Sequence, residues 1–101
     1  MIFIITYKDQ SSTLLSATTW SDAAAYAEGT DKDILSINQP SNITLVLNSP
    51  QSNNCYQLTL KNAETYFVFE EDFQSLNTWI ESQSTTEVRQ LYQQQRNYVS
   101  L

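Results

Sequence analysis

Glu70, Glu71 and Asp72 stand side by side in a chain of 101 residues, and they form its densest group of side chains able to do chemistry. Adjacent carboxylates can hold a cation or present negative charge to a basic partner. At a strand-to-helix junction they also suit the positive end of a helix dipole, and capping is the simpler expectation. Asp31 and Asp33 offer a second acidic pair. A hard cation takes about six or more oxygen ligands, however, and the turn around them supplies too few. With no His in the chain, a Ser or Thr nucleophile would need a lysine base. Lys8 and Lys61 fall at matching turn positions in two similar stretches, which reads as surface placement.

The missing residue types exclude whole classes of mechanism. Without His there is no imidazole base and no zinc or iron site built on imidazole. Cys55 is single, so it makes no internal disulfide or thiolate cluster and has no His to activate it. One glycine cannot write a phosphate-cradling loop or a dinucleotide fingerprint. No catalytic, cofactor-binding or metal-ligating residue is therefore expected, and the chain reads as non-enzymatic.

Charge narrows the partners. Eleven carboxylates stand against five basic residues, a formal net charge of −6. No predicted element carries a basic stripe, so direct binding to nucleic acid is not expected. The apolar residues after Met1 lack the basic flank, length and cleavage site of a signal peptide. No run reaches the roughly 20 apolar residues of a membrane helix. The expected setting is a cytoplasm, and the expected partner is a protein, with a second copy in a homo-oligomer among the candidates; no nucleic-acid or membrane partner is expected. The sequon Asn42-Ile43-Thr44 has no meaning without a secretory signal.

The elements that must position these groups follow from periodicity. Ile2 to Tyr7 is apolar on both faces and predicts a central strand. A turn at Asp9 to Ser11 leads to a second strand, Thr13 to Thr18. Thr19 then predicts an N-cap, answered by Asp22 in a capping box, for a helix WSDAAAYAE closed by a left-handed Gly29. Ile34 to Asn38 and the alternating stretch around Ile43, Leu45 and Leu47 predict further strands, and Ser49 to Asn54 predicts a loop. Tyr56, Leu58 and Leu60 alternate inward, Asn62 and Ala63 turn, and Glu64 to Glu70 returns. Asp72 then caps a helix whose buried stripe is Phe73, Leu76, Trp79 and Ile80. Ser84 and Glu87 predict a capping box for a third helix carrying Val88, Leu91 and Tyr92.

Phe3 to Glu28 laid over Tyr56 to Glu81 without a gap matches Phe3 to Tyr56, Ile5 to Leu58, Leu14 to Phe67, Trp20 to Phe73 and Tyr26 to Trp79. The expected fold is thus a single α+β domain. Two ββα hairpin-helix units, 2–48 and 55–101 with a linker at 49–54, would form an internal pseudo-repeat. Their strands would make a mostly antiparallel sheet with helices on one face, plus a C-terminal helix.

The stretch ATTWSDAAAYAEGTDKDILSI, Ala17 to Ile37, resembles short uncharacterised proteins of tailed bacteriophages, aquatic ones in particular. The resemblance spans about the first third of the chain and carries no catalytic motif. It implies a small virion or accessory protein, such as a capsid decoration or tail subunit acting through protein contacts. Tyr92, Tyr98, Val99 and Leu101 are the expected interface, because exposed aromatics and an apolar end supply contact area at low entropy cost. On that reading, deleting Asn97 to Leu101 abolishes assembly and leaves the domain folded. The alternative is a small acidic inhibitor that mimics nucleic acid in a basic groove, with Glu70, Glu71 and Asp72 as its acidic patch.

Overall fold

A computed structural model describes residues 1–60, 64–83 and 87–101. It divides into two compact units: Met1–Ser41 together with Arg96–Leu101, and Asn42–Gln95.

The first unit contains β1 (Ile2–Tyr7), β2 (Ser12–Ser16), α1 (Trp20–Glu28) and β3 (Ile34–Asn38). β1 lies between β3 and β2, antiparallel to both, as its two-sided apolar run predicts. On one face Phe3 sits opposite Leu15 and Ile5 opposite Thr13. Tyr7 and Ala17 complete that face, and Ala23 and Ala27 of α1 close over it. Small alanines let the helix backbone come near the sheet. Phe3, Ile5, Leu15 and Ala23 are fully buried, and each large member contributes about 1.5–3 kcal/mol by leaving water. Thr13 is buried with its hydroxyl paired to the Tyr7 phenol at 3.0 Å, which satisfies both groups.

α1 begins as its sequence predicts. Thr19 is extended, and its Oγ1 accepts the Asp22 N–H at 3.1 Å. Its end differs from expectation. Gly29 has φ −78° and ψ −6°, right-handed rather than left-handed, and donates to the Ala25 and Tyr26 carbonyls. A Cβ there would meet those carbonyls at 3.5 Å, an ordinary contact. Gly29→Ala is therefore expected to stabilise the fold by about 0.4–1 kcal/mol, by removing unfolded-state freedom without adding strain. A thermal melt checks this, and a lowered midpoint would contradict it.

The second unit contains β4 (Ile43–Leu47), β5 (Asn54–Leu60), β6 (Thr65–Phe69) and α2 (Phe73–Ser82). β5 and β6 are antiparallel, with Tyr56 opposite Val68 and Leu58 opposite Tyr66. Leu76, the buried residue of α2, seats the helix on Tyr56, Leu58 and Val68, with Trp79 and Ile80 packed at the margin. Cys55, Phe67 and Phe69, on the other face of this ladder, are buried too. β4 pairs parallel with β6 in five unbroken register positions, Ile43 with Thr65 through Leu47 with Phe69.

The last strand, β7 (Val88–Ser100), supplies a ladder to each unit. Residues from Val88 to Gln95 run antiparallel to β5, and Arg96 to Ser100 run parallel to β2. The strand orders are β3-β1-β2-β7 in the first unit and β7-β5-β6-β4 in the second.

These ladders overturn the expected fold class. Among the described residues seven strands make up 48% and two short helices 20%, in a mixed sheet. The chain is neither a pair of ββα repeats on a mostly antiparallel sheet nor capped by a C-terminal helix. Two ladders, β4 with β6 and β2 with β7, are parallel. The expected third helix rested on three apolar residues at helical spacing and a capping box, of which Ser84 lies outside the described residues. Lys61 and the expected turn at Asn62 and Ala63 lie outside them as well. A helix over Val88 to Ser100 would have left one side of β5 and one of β2 without backbone partners, a loss that outweighs the helix propensity of Gln and Arg, good helix formers though they are. The stretch expected to link two units, Ser49 to Asn54, lies inside the second unit.

Candidate functional site

At the junction of β6 and α2 the three adjacent acids diverge. Glu70 is 6% exposed, and its carboxylate accepts from Asn48 Nδ2 at 2.7 Å. The Glu70 carbonyl accepts from Ser52 Oγ, the Glu71 carbonyl accepts from Asn54 Nδ2, and the Phe69 carbonyl accepts from Ser49 N–H. The polar loop is thereby stapled onto the junction. Asp72 is extended, and its Oδ1 accepts the Ser75 N–H at 2.8 Å, the N-cap of α2. Glu71 points to solvent. The cluster is structural: one acid fastens a loop, one caps a helix and one is exposed. Among the described residues no group of three or more His, Cys, Asp or Glu is placed to hold a metal ion.

Two nearby groups respond electrically to this arrangement. Burial raises the Tyr56 phenol above its ordinary value, and the negative charges of Asp72 and Glu70 raise it further. The backbone and side-chain hydrogen bonds from Ser75 hold Asp72 below its ordinary 3.8. A carboxyl with a lowered folded-state pKa contributes stability that is complete above the ordinary value. That contribution is lost as pH falls through the lowered one. Asp72→Asn keeps an N-cap oxygen and cannot titrate, so stability near neutrality should change little and the acid limb should flatten. Urea midpoints measured from about pH 6 down to about pH 2 would show it, and an unchanged acid limb would contradict it.

One constellation escaped the sequence reading. Lys32 Nζ donates to Ser11 Oγ at 2.9 Å, lies 3.5 Å from Asp9 Oδ2 and sits over the Tyr7 ring at 5.0 Å. Ser11 in turn donates from its hydroxyl and its N–H to Asp9 Oδ1. A serine beside a lysine has the makings of a nucleophile and base, but the electrostatics run the other way. Here the ammonium is the donor, a carboxylate neutralises it, and side chains about half exposed leave it hydrated. The group locks the β1–β2 turn, where Gln10 takes a left-handed φ of 74°. Its only sequence signal was the turn itself, because Lys32 lies 21 residues from Ser11.

The four residues expected to form an interface separate as well. Tyr98 and Val99 are half-buried strand residues opposite Leu14 and Leu15, and Val99 packs on the first core. Tyr92, 51% exposed, belongs to the second unit, opposite Gln57. Leu101 is exposed and borders a shallow groove of about 530 Å³ with Thr18, Asp22, Ala25 and Tyr26. Tyr92 thus belongs to one unit, and Tyr98, Val99 and Leu101 to the other.

What remains open is backbone. β3 ends one strand order and β4 the other. Leu35 on β3 and Leu47 on β4 are both exposed. From Ile34 to Leu60, a stretch containing both edge strands, the sequence has no charged residue. No helix among the described residues is long and apolar enough to cross a membrane.

Comparison with protein-family models, with curated proteins and with solved structures returned no match.

Proposed function

We propose that this chain is a non-enzymatic interaction protein acting by protein–protein contact, and that it serves in a phage virion, as the resemblance over Ala17 to Ile37 implies. The observation that carries the reading is the charge-free stretch holding both edge strands. Soluble proteins guard sheet edges with Lys, Pro or bulges because unpaired N–H and C=O groups recruit further strands. This chain concentrates its charge elsewhere and leaves both strands uncharged; the β3 ladder keeps a register break, and the β4 ladder has none. Strand addition supplies affinity through main-chain hydrogen bonds and specificity through alternate side chains.

The acidic-inhibitor reading has less support. Asp72 is engaged in a cap, Glu70 in a buried hydrogen bond and Asp9 with Lys32, so three carboxylates already have internal partners. An enzyme finds no support in the Ser11 and Lys32 pair, for the reasons given above.

Mass spectrometry of purified particles of the encoding phage tests the proposal. A copy number in fixed ratio to the major virion proteins is the expected result. Absence from particles, with the protein abundant in infected cells, would overturn the virion role.

A further inference from the structure

We infer that β4 is a docking strand for a second copy of this chain, the two β4 strands pairing antiparallel about a two-fold axis at Leu45. The inference rests on the reading of the chain as an interaction protein and names its partner.

The phase of the β4 ladder carries the argument. The carbonyl of Asn42 accepts from the N–H of Thr65 at 3.1 Å, and β4 then runs parallel to β6 without a break. In a parallel ladder alternate residues turn both backbone groups to the same neighbour. Thr44 and Val46 therefore face β6. Ile43, Leu45 and Leu47 direct their N–H and C=O groups to the open edge.

That spacing is self-complementary. Two copies centred on Leu45 exchange a reciprocal pair of hydrogen bonds at Leu45, and Ile43 of each does the same with Leu47 of the other. The side chains agree with the backbone: Leu45 meets Leu45, Ile43 meets Leu47 and Thr44 meets Val46. No like charges oppose one another across the pairing, although each chain carries a net −6. The other edge is guarded. β3 has a register break between Thr6 and Tyr7 of its partner strand and follows the charged turn Asp31-Lys32-Asp33. β4 has neither device; Pro40 and Pro50 flank it and limit its length.

A five-residue strand contact is small, so the dimer should appear on concentration, and salt should strengthen it by screening the repulsion between acidic chains. Sedimentation of the wild-type chain from about 10 μM to about 1 mM is the experiment, since contacts of this size are weak. Leu45→Lys and Leu45→Glu are each expected to be monomeric, and an equimolar mixture to restore the dimer by setting opposite charges across the axis. A wild-type chain that stays monomeric throughout would overturn the inference, as would folded variants that fail to recombine. Should either variant fail to fold, amide exchange on the wild type decides: Ile43, Leu45 and Leu47 amides gain protection with concentration, or the inference is wrong. A monomer found in virions would leave the proposed function standing, whereas a dimer absent from virions would remove the virion role and leave this contact.

Discussion

Phe3→Ala is expected to cost about 3–5 kcal/mol of folding stability, a large share of the roughly 5–15 kcal/mol available to a domain. Phe3 is fully buried, lies opposite Leu15 and packs against Ile5, Tyr7, Ala23 and Ala27. The ring also meets Trp20 edge-on, with centroids 4.9 Å apart. Truncation removes the apolar transfer term and leaves a cavity that β1, held on both sides by ladders, cannot collapse to fill. Trp20→Ala is expected to cost less, since Trp20 is 48% exposed and fills one margin of the contact. Urea unfolding measures both. A loss below about 1 kcal/mol at Phe3 would mean that this cluster is not the centre of the first unit.

Deleting Asn97 to Leu101 is expected to unfold the first unit, the opposite of what an interface tail would do. The deletion removes four of the five register positions that β7 shares with β2, takes Val99 out of the core and breaks the bond from Leu101 N–H to the Ser16 carbonyl. Each lost ladder bond is worth about 1 kcal/mol net, and an unsatisfied buried group costs more. The burial of Val99 adds about 1.5–3 kcal/mol at most, since it is only partly buried. The sum is comparable to the stability of a small domain. Far-UV circular dichroism during a thermal melt, with amide exchange across Ser12 to Ser16, reads the result. A truncated chain that melts within a few degrees of the full one would show that β2 does not depend on β7.

These two experiments also bear on the proposed function. Because β7 is structural, binding is better tested at β4, where the strand can be altered on its open side. Leu45 is half-buried and its backbone is directed away from β6, so its charge variants reach an intermolecular contact with the β6 ladder kept.

Local chemistry was legible without the fold wherever neighbours in sequence decide the structure. Thr19 and Asp72 cap their helices because the side-chain oxygen reaches an N–H three residues on. Tyr56, Leu58 and Leu60 face inward because a half-buried strand alternates. The absence of His, the lone Cys55 and the single glycine limited the chemistry from composition alone.

Tertiary structure decided the rest. Gln-rich Val88 to Ser100 has a weak helical pattern of its own and became a strand because β5 and β2 each required a partner far away in sequence, from Leu60 with Val88 to Ser16 with Ser100. Glu70, read beside Glu71 and Asp72 as an acidic patch, turned inward to Asn48, and Lys32 found Ser11 and Asp9 across a whole helix. The open edge of β4 was equally invisible to periodicity, which reports the faces of a strand; which of its two sides stays unpaired depends on the strand order of the finished sheet.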